Sequence, residues 1–366
     1  MMSSRLPDSP DTVAASALPP LMRPLPSYLA ARQSNPVFPA GRWITPTPDA
    51  PVIPPEIVRK ALEVLQSVVG AEGNSGTMIV HRGYLLWAGE NVSHKGHVWS
   101  CTKSINSICL GLLWDDGRCS PDDLAARYLP SLARDYPEVT LRHMATFTSG
   151  IHLEALSLDP GPPNFAVGAA MHYSQELDLL AYILTRIAGE PLSELFRRRI
   201  ADPIGMSPAG WEWKSVNTRD GLPINGGAGM PENGMYMTAE NLARLGWLFA
   251  NNGKWDGREL ISKRYIEHAC VARVSPHTPM HDPADWYHQL PGRYGLSWWT
   301  NGVDSTGRRL WPSAPDNTFA AQGNNNNICI IVPEWQLVIV RTAQDKVIDV
   351  ALFDGVFKAL SETPRS

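Results

Sequence analysis

Trp99-Ser100-Cys101-Thr102-Lys103-Ser104 is the stretch on which the reading of this chain turns. It opens a helix predicted from about Ser100 to Trp114 and closed by Asp116-Gly117. A serine at a helix start keeps its own backbone N–H out of the helix ladder. Positions i and i+3 share one helix face, about 4.5 Å apart along the axis. Lys103 therefore stands where a neutral amine can take the Ser100 proton. At an ordinary pKa near 10.4, only about 0.1% of lysine is neutral at pH 7.5, so burial or a second cation has to lower that value. Taken alone, the tetrad also fits a capping serine beside a solvated lysine, because about one Ser-x-x-Lys is expected by chance in this length.

Outward from this helix, the pattern divides the chain. Upstream, Glu56–Val69 has helical apolar spacing, and Thr77–Val80 and Tyr84–Trp87 read as a hairpin turning at Arg82-Gly83. Downstream, Ser120-Pro121 predicts a short helix, and the periodicity predicts helices over Glu176–Ala188, over Pro191–Ile200 and from Thr238 to about Ala250. Near the end, Tyr294–Trp299, Thr318–Gln322, Ile328–Val332 and Leu337–Arg341 read as strands, and Val347–Leu360 as a helix. Strands at both ends and helices between them predict a two-lobed α/β fold. One antiparallel sheet is built from both chain ends and flanked by helices, about 56–124 and 286–366. A mainly helical lobe, about 125–285, is inserted. Residues 1–55 hold 13 of the 32 prolines and read as an extended arm ahead of a catalytic domain over 56–366.

Composition excludes several classes. The chain has 366 residues, 43% of them hydrophobic and 19% charged, enough to bury a large core. A net charge of −4 argues against a nucleic-acid binder working by bulk charge. No apolar run reaches the roughly 18–20 residues of a membrane span, and no secretory signal pattern is visible, so a cytoplasmic protein is expected. The five cysteines include no C-x-x-C pair and read as packed thiols. His94 and His97 form H-x-x-H without an H-E-x-x-H, so neither metal nor cofactor is expected.

Two further elements carry candidate chemistry. His172-Tyr173-Ser174-Gln175 precedes a predicted helix, and a tyrosine on such a turn can pass a proton to a leaving group or merely pack under the loop. Ala321-Gln322-Gly323-Asn324 ends a predicted strand. Glycine there permits close backbone approach, and the next N–H is a candidate oxyanion donor; a bulge leading into a turn is the plainer alternative. Cys101 lies at a helix start, where a thiolate would be favoured, but no Cys-His-Asn pattern accompanies it. Trp298, Trp299, Trp311 and Trp335 suit either an acyl pocket or core packing.

In order and context these segments resemble the serine β-lactamase and penicillin-binding-protein superfamily. The branch most resembled holds class C β-lactamases, DD-peptidases, carboxylesterases and nylon-oligomer hydrolases. The likeness runs through Trp99–Ser104, then through Thr140-Leu141-Arg142-His143-Met144-Ala145-Thr146-Phe147-Thr148-Ser149-Gly150, similar to that branch's "TLRHLLTHTSG". It continues through Tyr173-Ser174-Gln175, Gly234-Met235-Tyr236-Met237-Thr238, Tyr294–Trp299 and Gly323 with Pro333-Glu334. It covers about residues 55–360. The resemblance implies a β-lactamase/transpeptidase-like fold with the site between the lobes. It implies Ser100 as nucleophile, Lys103 as base, Tyr173 in proton transfer, and the N–H groups of Ser100 and Asn324 as oxyanion hole. Gln175, Gln322 and Gly323 fall at substrate-binding positions, and the reaction would pass through an acyl-enzyme.

Three departures narrow the expectation. Ala321 stands where the family carries lysine or histidine, so the cation that would hold a β-lactam or peptide carboxylate is missing unless Arg308 or Arg309 supplies it. Gln175 replaces asparagine, and Asn325–Asn327 replaces Gly-Gly-Gln. The expected partner is a small-molecule ester or amide, with no nucleic acid and no membrane, and a homo-oligomer is left open. Hydrolysis of a β-lactam or cell-wall peptide is the alternative activity. A non-catalytic binding protein on the same scaffold is the alternative from another class.

Overall fold

The structure is a computed structural model that describes residues 25–30, 36–70, 74–154, 157–173, 176–227, 230–282, 289–343 and 349–362. Helix α1 (Pro55–Val69) begins on proline, whose fixed φ suits a first turn, and buries Ile57, Val58, Ala61, Leu62 and Leu65 on one side. Strands β1 (Thr77–His81) and β2 (Tyr84–Ala88) follow, joined through Arg82 at φ 56° and Gly83 at φ 84°. Strand β3 (Gly96–His97) leads into α2 (Cys101–Asp115), and α3 (Leu141–Ala145) and α4 (Leu177–Ala188) come next. Strands β4 (Trp211–Lys214) and β5 (Gly234–Met237) join β3 in a small sheet of order β3-β5-β4. Helix α5 (Ala239–Ala250) is capped by the Thr238 hydroxyl, which accepts from the Asn241 N–H.

The last third supplies β6 (Trp299–Thr300), β7 (Phe319–Gly323), β8 (Asn327–Val332) and β9 (Leu337–Arg341), then α6 (Asp354–Ser361). The six-stranded sheet runs β6-β7-β8-β9-β1-β2, antiparallel throughout. Both chain ends thus share one sheet, as the strand pattern predicts. Alternation along β9 sends Val338 and Val340 to the face with α2 and α5, and Leu337 and Ile339 to the face with α1 and α6.

Residues 37–41, ahead of α1, lie along their own chain. Phe38 packs on Trp247 and Trp255, the Trp247 Nε1–H donates to Val37 O at 2.9 Å, and Arg244 donates to the carbonyls of Pro39 and Gly41. All five cysteines are buried and unpaired.

Two elements differ from the sequence pattern. Ser120-Pro121 starts no helix: the Asp123 carboxylate captures the Ser120 N–H at 2.8 Å and closes a turn, and a 3₁₀ turn follows only at Ala125–Arg127. Tyr294–Trp299 folds back on itself. Ser297 takes φ 59° and donates both its N–H and its hydroxyl to Ala145 O, so only Trp299–Thr300 pairs with β7. The tryptophans of the C-terminal part are core. Trp298 packs on Phe249 and Phe319, and Trp311 and Trp335 pack on Phe357.

Candidate active site

Ser100 sits at the cap position of α2, but its hydroxyl makes no capping bond. The Lys103 Nζ instead donates to Ser100 Oγ at 2.6 Å. Lys103 is 1% exposed, and burial pushes its ammonium down from 10.5 to about 7. A capping serine beside a solvated lysine is therefore not what the fold builds. The apolar helix around them places the pair: Ile105, Ile108, Leu110, Leu112 and Leu113 are all buried, so α2 is a core helix with its N-terminus opening on the site. The lysine head lies 4.4 Å from the ring centroid of Tyr173 and 6.0 Å from that of Phe147. Tyr173 is wedged edge-on between Phe147 at 5.2 Å and Tyr294 at 5.8 Å. These rings exclude water from the amine, which is the physical reason that it loses its charge so readily.

Backbone strain gathers around this group. Trp99, Phe147 and Ser297 all have left-handed φ, at 49°, 58° and 59°. Each costs about 1 kcal/mol or more for a residue with a Cβ. Trp99 immediately precedes the nucleophile candidate, Phe147 lines the lysine, and the Ser297 carbonyl accepts from the Ser104 hydroxyl at 2.7 Å. Strain of this kind persists where packing over-determines it, commonly at sites that do chemistry.

The end of β7 closes the other side. A Cβ added to Gly323 would lie 2.2 Å from Val98 O and 2.9 Å from the Ser100 N, so only glycine lets the strand approach the helix start. Among the described residues the Ser100 N–H meets no acceptor. Asn324 follows Gly323, and Asn325 and Asn326, at φ 59° and 60°, make a tight hairpin turn into β8. Asn327 is spent on the turn: its Nδ2 donates to the carbonyls of Asn324 and Ala343. Gln322 sits between Ala321 and Gly323 with its Oε1 buried and unpaired. Gln175 lies outside the described residues. Cys101 turns away from the site; its thiol donates to Asn327 O at 3.6 Å and burial pushes it up, which leaves no reactive thiolate beside Ser100.

The two arginines that could replace the cation missing at Ala321 are engaged elsewhere. Arg308 pairs with Asp304, and Arg309 pairs with Asp316 and donates to Asn301 O, all within their own loop. Arg341, at the end of β9, donates to Asn326 O.

Sequence reasoning missed two acids, one buried and one half-buried. Glu176, at the cap of α4, accepts from the Ser149 hydroxyl at 2.6 Å, and burial pushes its carboxyl up from 4.5 to about 8. Asp178, two residues on, accepts from the Gly227 N–H at 2.7 Å and from the Asn233 amide at 3.3 Å. Acids at a helix start read as ordinary dipole partners. Only their place among Leu177, Leu179 and Leu180 could have signalled burial.

A family model described as Beta-lactamase matches residues 93–355. The chain belongs to the beta-lactamase family. Esterase EstB of Burkholderia gladioli is 28% identical over 162 residues, 34% of this chain and 41% of that protein. Two solved structures share the fold. EstCE1, a hydrolase with promiscuous acyltransferase activity, has a TM-score of 0.63 at 16% identity, over 84% of this chain and 99% of that one. A penicillin-binding-protein homolog from Caulobacter crescentus also has a TM-score of 0.63 at 16% identity, over 86% and 97%. Membership makes this family member a serine hydrolase. Among the described residues no helix is long and apolar enough to cross a membrane, and no group of three or more His, Cys, Asp or Glu is placed to hold a metal ion.

Proposed function

We propose that the chain hydrolyses a neutral carboxylic ester, or an amide of similar shape, through an acyl-enzyme on Ser100. The observation that carries this reading is the 2.6 Å contact between Ser100 Oγ and a buried lysine held near neutrality. The neutral Lys103 amine takes the Ser100 proton as Oγ attacks the carbonyl carbon. The Ser100 and Asn324 N–H groups receive the oxyanion, with Gly323 allowing their approach. Tyr173 relays the proton from Lys103 to the departing alkoxide, and water then releases the acid by the same route in reverse. Gln322 meets the substrate with a neutral amide, and Gln175 is assigned the same role from its place in the sequence motif alone.

The absent cation at Ala321 favours a substrate without a carboxylate and disfavours β-lactams and cell-wall peptides. The partial likeness to an esterase agrees with this preference. The expected setting is cytoplasmic, with no metal, cofactor, nucleic acid or membrane partner. Hydrolysis of p-nitrophenyl butyrate by wild type and Ser100→Ala tests the reading. Activity in wild type with a loss of roughly 10⁴-fold in the variant is expected. Equal rates would reduce Ser100 to a structural residue.

A further inference from the structure

Lys103 and Asn106 are one turn apart on the same face of α2. The Asn106 amide donates to Asn225 O at 3.2 Å. Asn225 begins a loop whose next two residues are glycines, and both are forced. A Cβ at Gly226 would lie 2.0 Å from the Asp178 carboxylate, and one at Gly227 would strike Asn233. The loop thus wraps Asp178: Gly227 and Asn233 donate to it, Trp213 Nε1–H holds Gly226 O, and Met235 N–H returns to α2 on the Thr102 hydroxyl. Asp178 thus lies on α4 against a segment bonded to α2 at Thr102 and at Asn106, on either side of Lys103, and the catalytic scheme does not use its charge.

We propose that Asp178 is a positioning residue for Lys103: by holding Gly227 and Asn233 it pins residues 225–227 and 233–235 against α2, and its charge stabilises the ammonium that Lys103 becomes when it takes the Ser100 proton. The inference rests on the reading of Lys103 as base. Its support beyond geometry is mutual: Asp178 pulls Lys103 up against the burial that lowers it, and Lys103 pulls Asp178 down against the burial that raises it. The other groups facing the lysine are named readily. Cys101 on its own helix also bears on the lysine, ahead of Asp178, but burial keeps its thiol un-ionised where Lys103 titrates; Tyr173 faces the amine with its ring, and Ser100 is neutral. From the loop comes the neutral Asn233, while Glu232 acts on His97. Gln322, Gly323 and Asn324 at the strand end carry no charge.

The test reads protonation directly, without substrate. The full chain carrying ¹³Cε-lysine is titrated by NMR, with the Lys103 signal assigned by its loss in Lys103→Ala. Asp178→Asn keeps an oxygen for the Gly227 N–H and removes only the charge. Its Lys103 midpoint is expected about one pH unit below wild type. Binding linkage is reciprocal, so Lys103→Met should raise the Asp178 midpoint, read by ¹³Cγ-aspartate, by the same amount. That second arm answers the question even where Asp178→Asn does not fold. An unmoved midpoint in either arm overturns the proposal. The acid limb of kcat/KM for p-nitrophenyl butyrate should fall with the Lys103 midpoint, whereas a purely structural loss would lower the rate at every pH and leave the limb in place. Because the midpoints need no turnover, they stand apart from the Ser100→Ala result. A Ser100→Ala enzyme with full activity would overturn the hydrolytic scheme and leave the measured coupling intact.

Discussion

Two serines in this molecule each hold an ionisable partner at 2.6 Å, and the comparison separates burial from catalysis. Ser100 accepts from Lys103; Ser149 donates to Glu176. Both partners are buried and both are pushed toward their uncharged forms, lysine down to about 7 and glutamate up to about 8. What differs is where the remaining valences point. Ser149 also accepts from the Ile151 N–H, and the Glu176 carboxyl receives the backbone N–H groups of Ser149 and Glu176. That pair is sealed and ties the loop after α3 to the start of α4. The Ser100 pair faces Gly323 and the end of β7, and the Ser100 N–H beside it meets no acceptor among the described residues. Burial shifts both ionisations; under the proposed scheme it is the open approach beside an oxyanion donor that puts the first shift to use.

The comparison can be broken from the first pair downward. Lys103→Ala should reduce kcat/KM for p-nitrophenyl butyrate by roughly 10³-fold, and by at least as much as Tyr173→Phe. Full activity in Lys103→Ala would remove the difference between the two pairs. Gly323→Ala keeps both the Ser100 and the Lys103 side chains but drives a Cβ toward Val98 O and the Ser100 N–H, so a loss of about 10²-fold in kcat is expected. A near-normal rate would show that the β7 approach is not what distinguishes the first pair. Glu176→Gln should leave kcat within a few-fold of wild type and change the pH dependence of stability instead.

The sign of that last effect follows from proton counting. Between about 4.5 and 8 the folded chain keeps a proton on Glu176 that the unfolded chain has released, so stability falls as pH rises, by about 1.4 kcal/mol per unit from this group. Lys103 works in the opposite sense. Between about 7 and 10.5 the unfolded chain holds the extra proton, so stability rises with pH. Thermal unfolding of wild type and Glu176→Gln from pH 5 to 8 sharpens the contrast. The wild type should lose stability relative to the variant across that range, and parallel curves would refute the buried proton.

What the sequence disclosed follows from how local each feature is. Ser100 and Lys103 are one turn apart, so helix geometry alone brings them together. Gly323 and Asn324 were legible from their place at a strand end and the order of motifs, although more than two hundred residues separate them from Ser100. Glu176 and Asp178 escaped notice because acids at a helix start read as ordinary dipole partners, with only the leucines around them as a sign of burial. The same limit explains Tyr294–Trp299. Its composition favours a strand, while tertiary hydrogen bonds from Ser297 to Ala145 bend it into a turn.

The sheet order also sets a timetable for synthesis. Strand β1 pairs on one side with β2, its neighbour in the chain, and on the other with β9, which begins at Leu337. At roughly 5–20 residues per second, translation leaves that inner edge without its partner for about 10–50 s. During this interval a hairpin containing Met78, Ile79 and Val80, all destined for the core, presents open backbone to every other nascent chain. The first strand made waits for the last, so the topology keeps this inner edge open through most of the chain's synthesis.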